Sequence, residues 1–378
     1  MAYQSVDKLQ NALGEKVFHY AQDRKKAAGR ALGTMVEIIT YYLLKTWDFN
    51  NSTSIERALA EYGNDDITHN VEYSLHPIIK EYEVTVENDG NSITATKILK
   101  ALEKKANISK FEKKNNNLLD KNNILRNACT IGESDESFLL TSFKLTGQEK
   151  YELLVFEQMK KPYAIFECKR VGVEEGIKKG PQTIEKAKQG AYVARTASSL
   201  QKIRTNTGEK YGIIYRSDNE PYVKAYVELM EEIIYSDDTK LLEKFILTVG
   251  VVSNHGNWFT AENYNKELKV LAQSYDWLIF LTDNGLAQFI DDLILHPTQE
   301  YIKVQEAFKS SYTANKKRNV FTKVKMDFDA DTVLLKYFSD KLNEIEGWFN
   351  VIAPKGKNIT ELKNELIELH SKNWKEIL

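Results

Sequence analysis

The chain has 378 residues, 42% hydrophobic and 28% charged, a balance that supports a buried core and excludes wholesale disorder. Its two cysteines exclude a disulfide framework and a cysteine-rich zinc site, and they fit a reducing cytoplasm. A formal net charge of −2 excludes a protein that holds nucleic acid by bulk charge alone, but not an enzyme whose cations gather in one cleft.

Residues 1–29 predict a polar helical extension ending in the basic cluster Arg24, Lys25, Lys26 and, next to it, Arg30. They lack the apolar core of a signal peptide. Residues 31–44 are apolar nearly all round, which predicts a buried helix too short to span a bilayer. Glu37 is the one charged residue between Arg30 and Lys45. A carboxylate among apolar neighbours is costly unless a cation or a hydrogen-bond network receives it, so Glu37 is a candidate site residue. Residues 48–130 are mixed and predict an insertion, with short strands at 71–75 and 81–86, a helix over 94–106 and a solvated Asn/Lys-rich run at 113–127.

From Ser137 the pattern turns to strands, at 138–145, 151–156 and 163–168, with turns at Gly147 and at 159–162. Gly180-Pro181 predicts the start of a helix running to Arg204, with Gly190 a mild cost inside it. A short strand is expected at 211–215. The runs ILTVGVVS (246–253) and WLIFLT (277–282) read as strands buried on both faces. A helix follows at 286–295, and the tail after Pro297 is helical and charged, with a basic stretch at 316–325. The order predicts an α/β fold, a central mixed sheet flanked by helices. It divides as residues 1–29, a core at 30–296 and a helical C-terminal region at 297–378.

The chemistry concentrates in YELLVFEQMKKPYAIFECK, residues 151–169. On a strand, Glu167 and Lys169 share a face while Cys168 points away. Glu152 opens the preceding strand, fifteen positions before Glu167, and a hairpin would bring the two carboxylates together. Such a pair repels unless a cation sits between them. A hard divalent ion such as Mg²⁺ suits that place, because it takes oxygen ligands and lowers the pKa of a bound water. A neighbouring lysine can orient or deprotonate that water. The arrangement serves phosphodiester hydrolysis, whereas no serine or cysteine nucleophile is paired with a histidine.

IFECK, preceded by a strand that opens with an acid and followed by a helix, resembles the PD-(D/E)xK motif of type II restriction endonucleases and related nucleases. The strand–strand–helix order matches over roughly 148–204, and a looser layout extends from about 30 to about 290. The resemblance implies a restriction-endonuclease-like core, Glu152 and Glu167 as metal ligands, Lys169 as the catalytic lysine, and the Cys168 carbonyl also at the metal. It also implies a glutamate on the first core helix facing the metal, a role open to Glu37. The family's first acid is usually aspartate, often after proline. Here it is Glu152 after Tyr151, with Asp135 and Glu149 as competitors.

The expected DNA-facing surface follows the motif. Lys188, Tyr192, Arg195, Ser199 and Lys202 recur at spacings of four, three, four and three, one stripe of a helix, and Arg170, Lys178 and Lys179 continue the positive charge. The six histidines show no ligand spacing, and the glycines form no nucleotide-binding fingerprint. The expectation is a cytoplasmic, Mg²⁺-dependent, sequence-specific endonuclease of double-stranded DNA, acting as a homodimer, without a nucleotide cofactor or a membrane. Its rivals are a repair or junction-resolving nuclease of the same fold and a non-catalytic DNA-binding protein on a degenerate nuclease fold.

Overall fold

The computed structural model describes residues 6–147, 149–171, 190–216, 218–236, 238–254, 259–264, 266–312 and 319–378. The chain forms two compact units, each assembled from three segments: Met1–Ile55, Ile78–Lys161 and Asp283–Trp348 in the first, and Glu56–Pro77, Pro162–Thr282 and Phe349–Leu378 in the second. This differs from the division expected from sequence. The excursion between two core strands spans 78–161 rather than 48–130, and the C-terminal region is shared between both units.

In the first unit, the long helix Arg24–Thr46 begins at Asp23, whose side chain accepts from the Lys26 N–H. Its Leu, Ile, Val and Tyr positions are buried, as its all-round apolar character requires. Its C-terminal end is tied by Tyr42 and Lys45, which donate to Asp331 at 2.6 and 2.8 Å. The unit's five-stranded sheet runs in the order Ile78–Glu87, Lys150–Met159, Ser137–Thr146, Cys129–Glu133, Glu112–Lys113. Period-two alternation sends Leu153 and Val155 into a core with Val84, Leu139 and the helix residues Ile98 and Leu102. Glu152, on the other face, is exposed.

The second unit carries a six-stranded mixed sheet in the order Thr53–Glu61, Asn64–Leu75, Ala164–Val171, Leu247–Asn254, Trp277–Leu281, Phe349–Ala353. The first two strands are joined across Tyr62 and Gly63, and Gly63 takes the φ of +74° that such a tight turn needs. The Glu167 strand runs antiparallel to Asn64–Leu75 and parallel to Leu247–Asn254, which in turn runs parallel to Trp277–Leu281. The two continuous apolar runs are thus interior strands of the sheet, its fourth and fifth, buried as expected. The edge strand Phe349–Ala353, antiparallel to Trp277–Leu281, corrects the all-helical reading of the tail.

The parallel connection between the Glu167 strand and Leu247–Asn254 contains a helix over the described residues 190–196. The expected helix does not continue to Arg204. Ser198 and Ser199 end it: the Ser198 hydroxyl accepts from the Leu200 and Ile246 N–H groups, and the Ser199 N–H donates to the Lys244 carbonyl. Gln201–Arg204 instead becomes the edge of a three-stranded antiparallel sheet with Lys210–Tyr215 and Pro221–Ala225. Among the described residues, no helix is long and apolar enough to cross a membrane.

Candidate functional site

Glu167 and Lys169 lie where the sheet's apolar interior gives way to polar residues. Ile165, two positions earlier on the same face, is fully buried, and Glu167 is 4% exposed. Its Oε2 accepts from the Lys169 ammonium at 3.0 Å, and its Oε1 accepts from the Glu72 backbone N–H at 3.1 Å. The ladder with Asn64–Leu75 ends at Phe166 and Tyr73, so Glu167 and Glu72 are the next residues along each strand. Burial pushes the Glu167 carboxyl above the usual carboxylate range, against the opposing pull of Lys169 and His69. A carboxylate held in this way is poised to gain from a further cation.

A second acid network borders the first. Glu61, buried at the end of its strand, meets His69 Nε2 at 2.8 Å and also bonds the Tyr192 hydroxyl. The His69 contact, with help from Tyr192, holds the Glu61 carboxyl below its usual range. The His69 and Tyr192 rings meet edge to face, 5.6 Å apart. Carboxylates at 61 and 167, an imidazole and an ammonium therefore occupy one region of this unit, with the Glu72 backbone N–H beside them.

The helix over 190–196 packs closely on this region because of Gly190. A Cβ there would lie 2.7 Å from the Tyr275 hydroxyl, 3.1 Å from Lys169 Cε and 3.5 Å from Glu167 Oε2. Gly250 admits the Tyr275 ring in the same way, since its Cβ would meet three ring carbons at 2.7–2.9 Å. Gly250→Ala is therefore expected to cost about 1–3 kcal/mol of stability, as overpacking does. Chemical denaturation measures it, and an unchanged midpoint would mean that Tyr275 moves aside freely.

The structure corrects several expectations. Glu152 forms no hairpin with Glu167: its strand pairs with Ile78–Glu87 on one side and Ser137–Thr146 on the other, in the first unit. Both edges of the Glu167 strand are taken as well, and its entry is fixed by the Tyr163 N–H bonding the Leu75 carbonyl. The acid on the antiparallel neighbour is thus Glu72, not Glu152. Glu37 also belongs to the first unit, where Lys323 lies 3.5 Å from its carboxylate. Cys168 is buried, in register with Val251.

The expected cationic stripe breaks up. Tyr192 and Arg195 are exposed on the helix, but Ser199 is fully buried and Lys202 lies on the strand beyond it. Lys178, Lys179, Lys188 and the Arg170 side chain lie outside the described residues. Sequence reading missed Glu61, His69 and Glu72. The strand at 71–75 was legible, but the contact from Glu72 to Glu167 spans 95 positions and nothing local announces it.

Among the described residues, no group of three or more His, Cys, Asp or Glu side chains forms a ready metal cage. Mg²⁺ does not require one, since one or two carboxylates, waters and substrate phosphates commonly complete its shell. The hard oxygen donors of Glu167 fit that pattern, and Glu72 is the acid on the neighbouring strand, its N–H bonded to Glu167. Comparison with protein-family models, curated proteins and solved structures yields no match to this chain.

Proposed function

We propose that this chain is a magnesium-dependent nuclease of the restriction-endonuclease kind, hydrolysing phosphodiester bonds of double-stranded DNA. The observation that carries the reading is the Glu167–Lys169 pair at the end of a buried strand, with Glu72 next to it on the antiparallel neighbour. A helix follows the Glu167 strand, as the resemblance of IFECK would have it, but the strand before it in the chain belongs to the other unit's sheet, so this order lends only its strand–helix half to the reading.

In this reading Glu167 and Glu72 hold Mg²⁺, which when bound supplies positive charge at the phosphate and a more acidic water. The Lys169 ammonium, held 3.0 Å from Glu167, orients the attacking water and steadies charge on the phosphate oxygens. The lack of a side chain at Gly190 lets the helix backbone come close to both Lys169 and Tyr275. The two strands of a duplex call for two such centres, which a homodimer provides.

Incubation of the purified protein with unmethylated phage DNA and Mg²⁺ tests the proposal on a gel. Discrete fragments support a sequence-specific endonuclease, and a smear supports a less selective nuclease of the same fold. Intact DNA across Mg²⁺ and Mn²⁺ titrations, with DNA binding retained, would favour the non-catalytic binding reading instead.

A further inference from the structure

The second unit holds a recess of about 280 Å³ whose lining does not include Glu167, bordered by the end of the 190–196 helix, the Gln201–Arg204 strand and the segment before Trp277. Four cations line it, Arg195, Lys202, Arg204 and Lys210, against one acid, Asp276. Asp276 is already engaged: Oδ1 accepts from the Tyr226 hydroxyl, Oδ2 from the Thr248 N–H and hydroxyl at 2.9 and 2.8 Å, and Lys202 lies 3.7 Å away. Lys202 donates to the Tyr275 carbonyl and sits over the Tyr226 ring. Arg195, Arg204 and Lys210 have no acidic partner among the described residues.

We infer that this recess is an anion site for a phosphomonoester, carried either by a free nucleotide or by the 5′ end of a nucleic-acid strand. Like charges gathered in a concave place repel each other and gain from an anion that enters. The depressed affinities for protons agree: burial lowers the Lys202 pKa to about 8, Lys210 and Arg195 adding to it against Asp276, and Lys210, exposed but partly desolvated beside its neighbours, is lowered by that desolvation and by Arg204. A phosphomonoester brings close to two negative charges and three acceptor oxygens, which suits two guanidinium forks and two ammonium groups better than a singly charged diester does. The Lys202 bond to Tyr275 links the recess to the residue that packs against Gly190 and Gly250 beside Glu167.

The test uses the full chain in EDTA, so its outcome is independent of cleavage. Affinity is measured for a short single-stranded oligonucleotide with a 5′-phosphate and with a 5′-hydroxyl, and for dAMP against deoxyadenosine. At least one phosphorylated member should bind about tenfold or more tightly than its unphosphorylated partner. Preference for dAMP identifies a nucleotide site, and preference confined to the oligonucleotide identifies a strand-end site. Arg204 and Lys210 are exposed, so Arg204→Gln combined with Lys210→Gln should fold and remove the preference. Equal affinity within both pairs would overturn the assignment, as would a preference that survives the double substitution.

Discussion

Replacing Lys169 with alanine is expected to lower DNA cleavage by about 10²–10³-fold, the range for removing a group that orients the nucleophile and stabilises developing charge. Binding to DNA in Ca²⁺ should change little, because one ammonium among many phosphate contacts is lost. The contrast separates chemistry from footprint. Lys169 stands 3.0 Å from a buried carboxylate, and a side chain at Gly190 would crowd it, so its ammonium is held at Glu167 on a partly exposed side chain. Lys169→Arg should not restore the rate, since a broad planar fork presents its donors in a different geometry from a compact ammonium. Equal loss of binding and cleavage would reduce Lys169 to a phosphate contact.

Glu167→Gln should remove a charged metal ligand and cut activity by at least about 100-fold, with the Mg²⁺-induced rise in Tm shrinking in parallel. In EDTA near neutral pH the variant should be no less stable than the parent. The sign follows from burial, which raises the folded-state pKa of Glu167 above its unfolded value. Above that raised pKa the folded chain carries a charge it disfavours. As pH falls through it towards the ordinary carboxylate value, the folded form takes up its proton first and the parent gains stability. The advantage of the glutamine variant should therefore be greatest near neutrality and close towards acid pH. A large loss of stability in EDTA would show instead that the carboxylate holds the fold together.

What the sequence made legible was local. The IFECK strand, the two continuous apolar strands and the buried helix at 31–44 all stand, because each rests on a run of side chains whose burial is set by its own pattern. What it hid was pairing. The order of strands along the chain suggested a hairpin between 151–156 and 163–168, yet the chain enters the first unit between residues 78 and 161 and returns only at Pro162. Glu152 was therefore read as the neighbour of Glu167, although alternation alone would have sent it to the face opposite Leu153 and Val155. Glu72 was hidden by separation along the chain, not by any lack of a strand signal. Lys202 was misread for a different reason. Helical spacing continued on paper through Ser198 and Ser199, whose side-chain and backbone bonds end the helix and start a strand.

The measurement that bears most directly on the central claim compares plasmid cleavage rates in Mg²⁺ for the parent chain, Glu72→Gln and Glu152→Gln. Glu72 is half-buried and bonded through its N–H to Glu167, whereas Glu152 is exposed on a strand of the other unit's sheet. If Glu72 and Glu167 together form the metal site, Glu72→Gln loses at least about 100-fold in rate and Glu152→Gln stays within about twofold of the parent. Full activity in Glu72→Gln, or a collapse of activity in Glu152→Gln, would contradict the site.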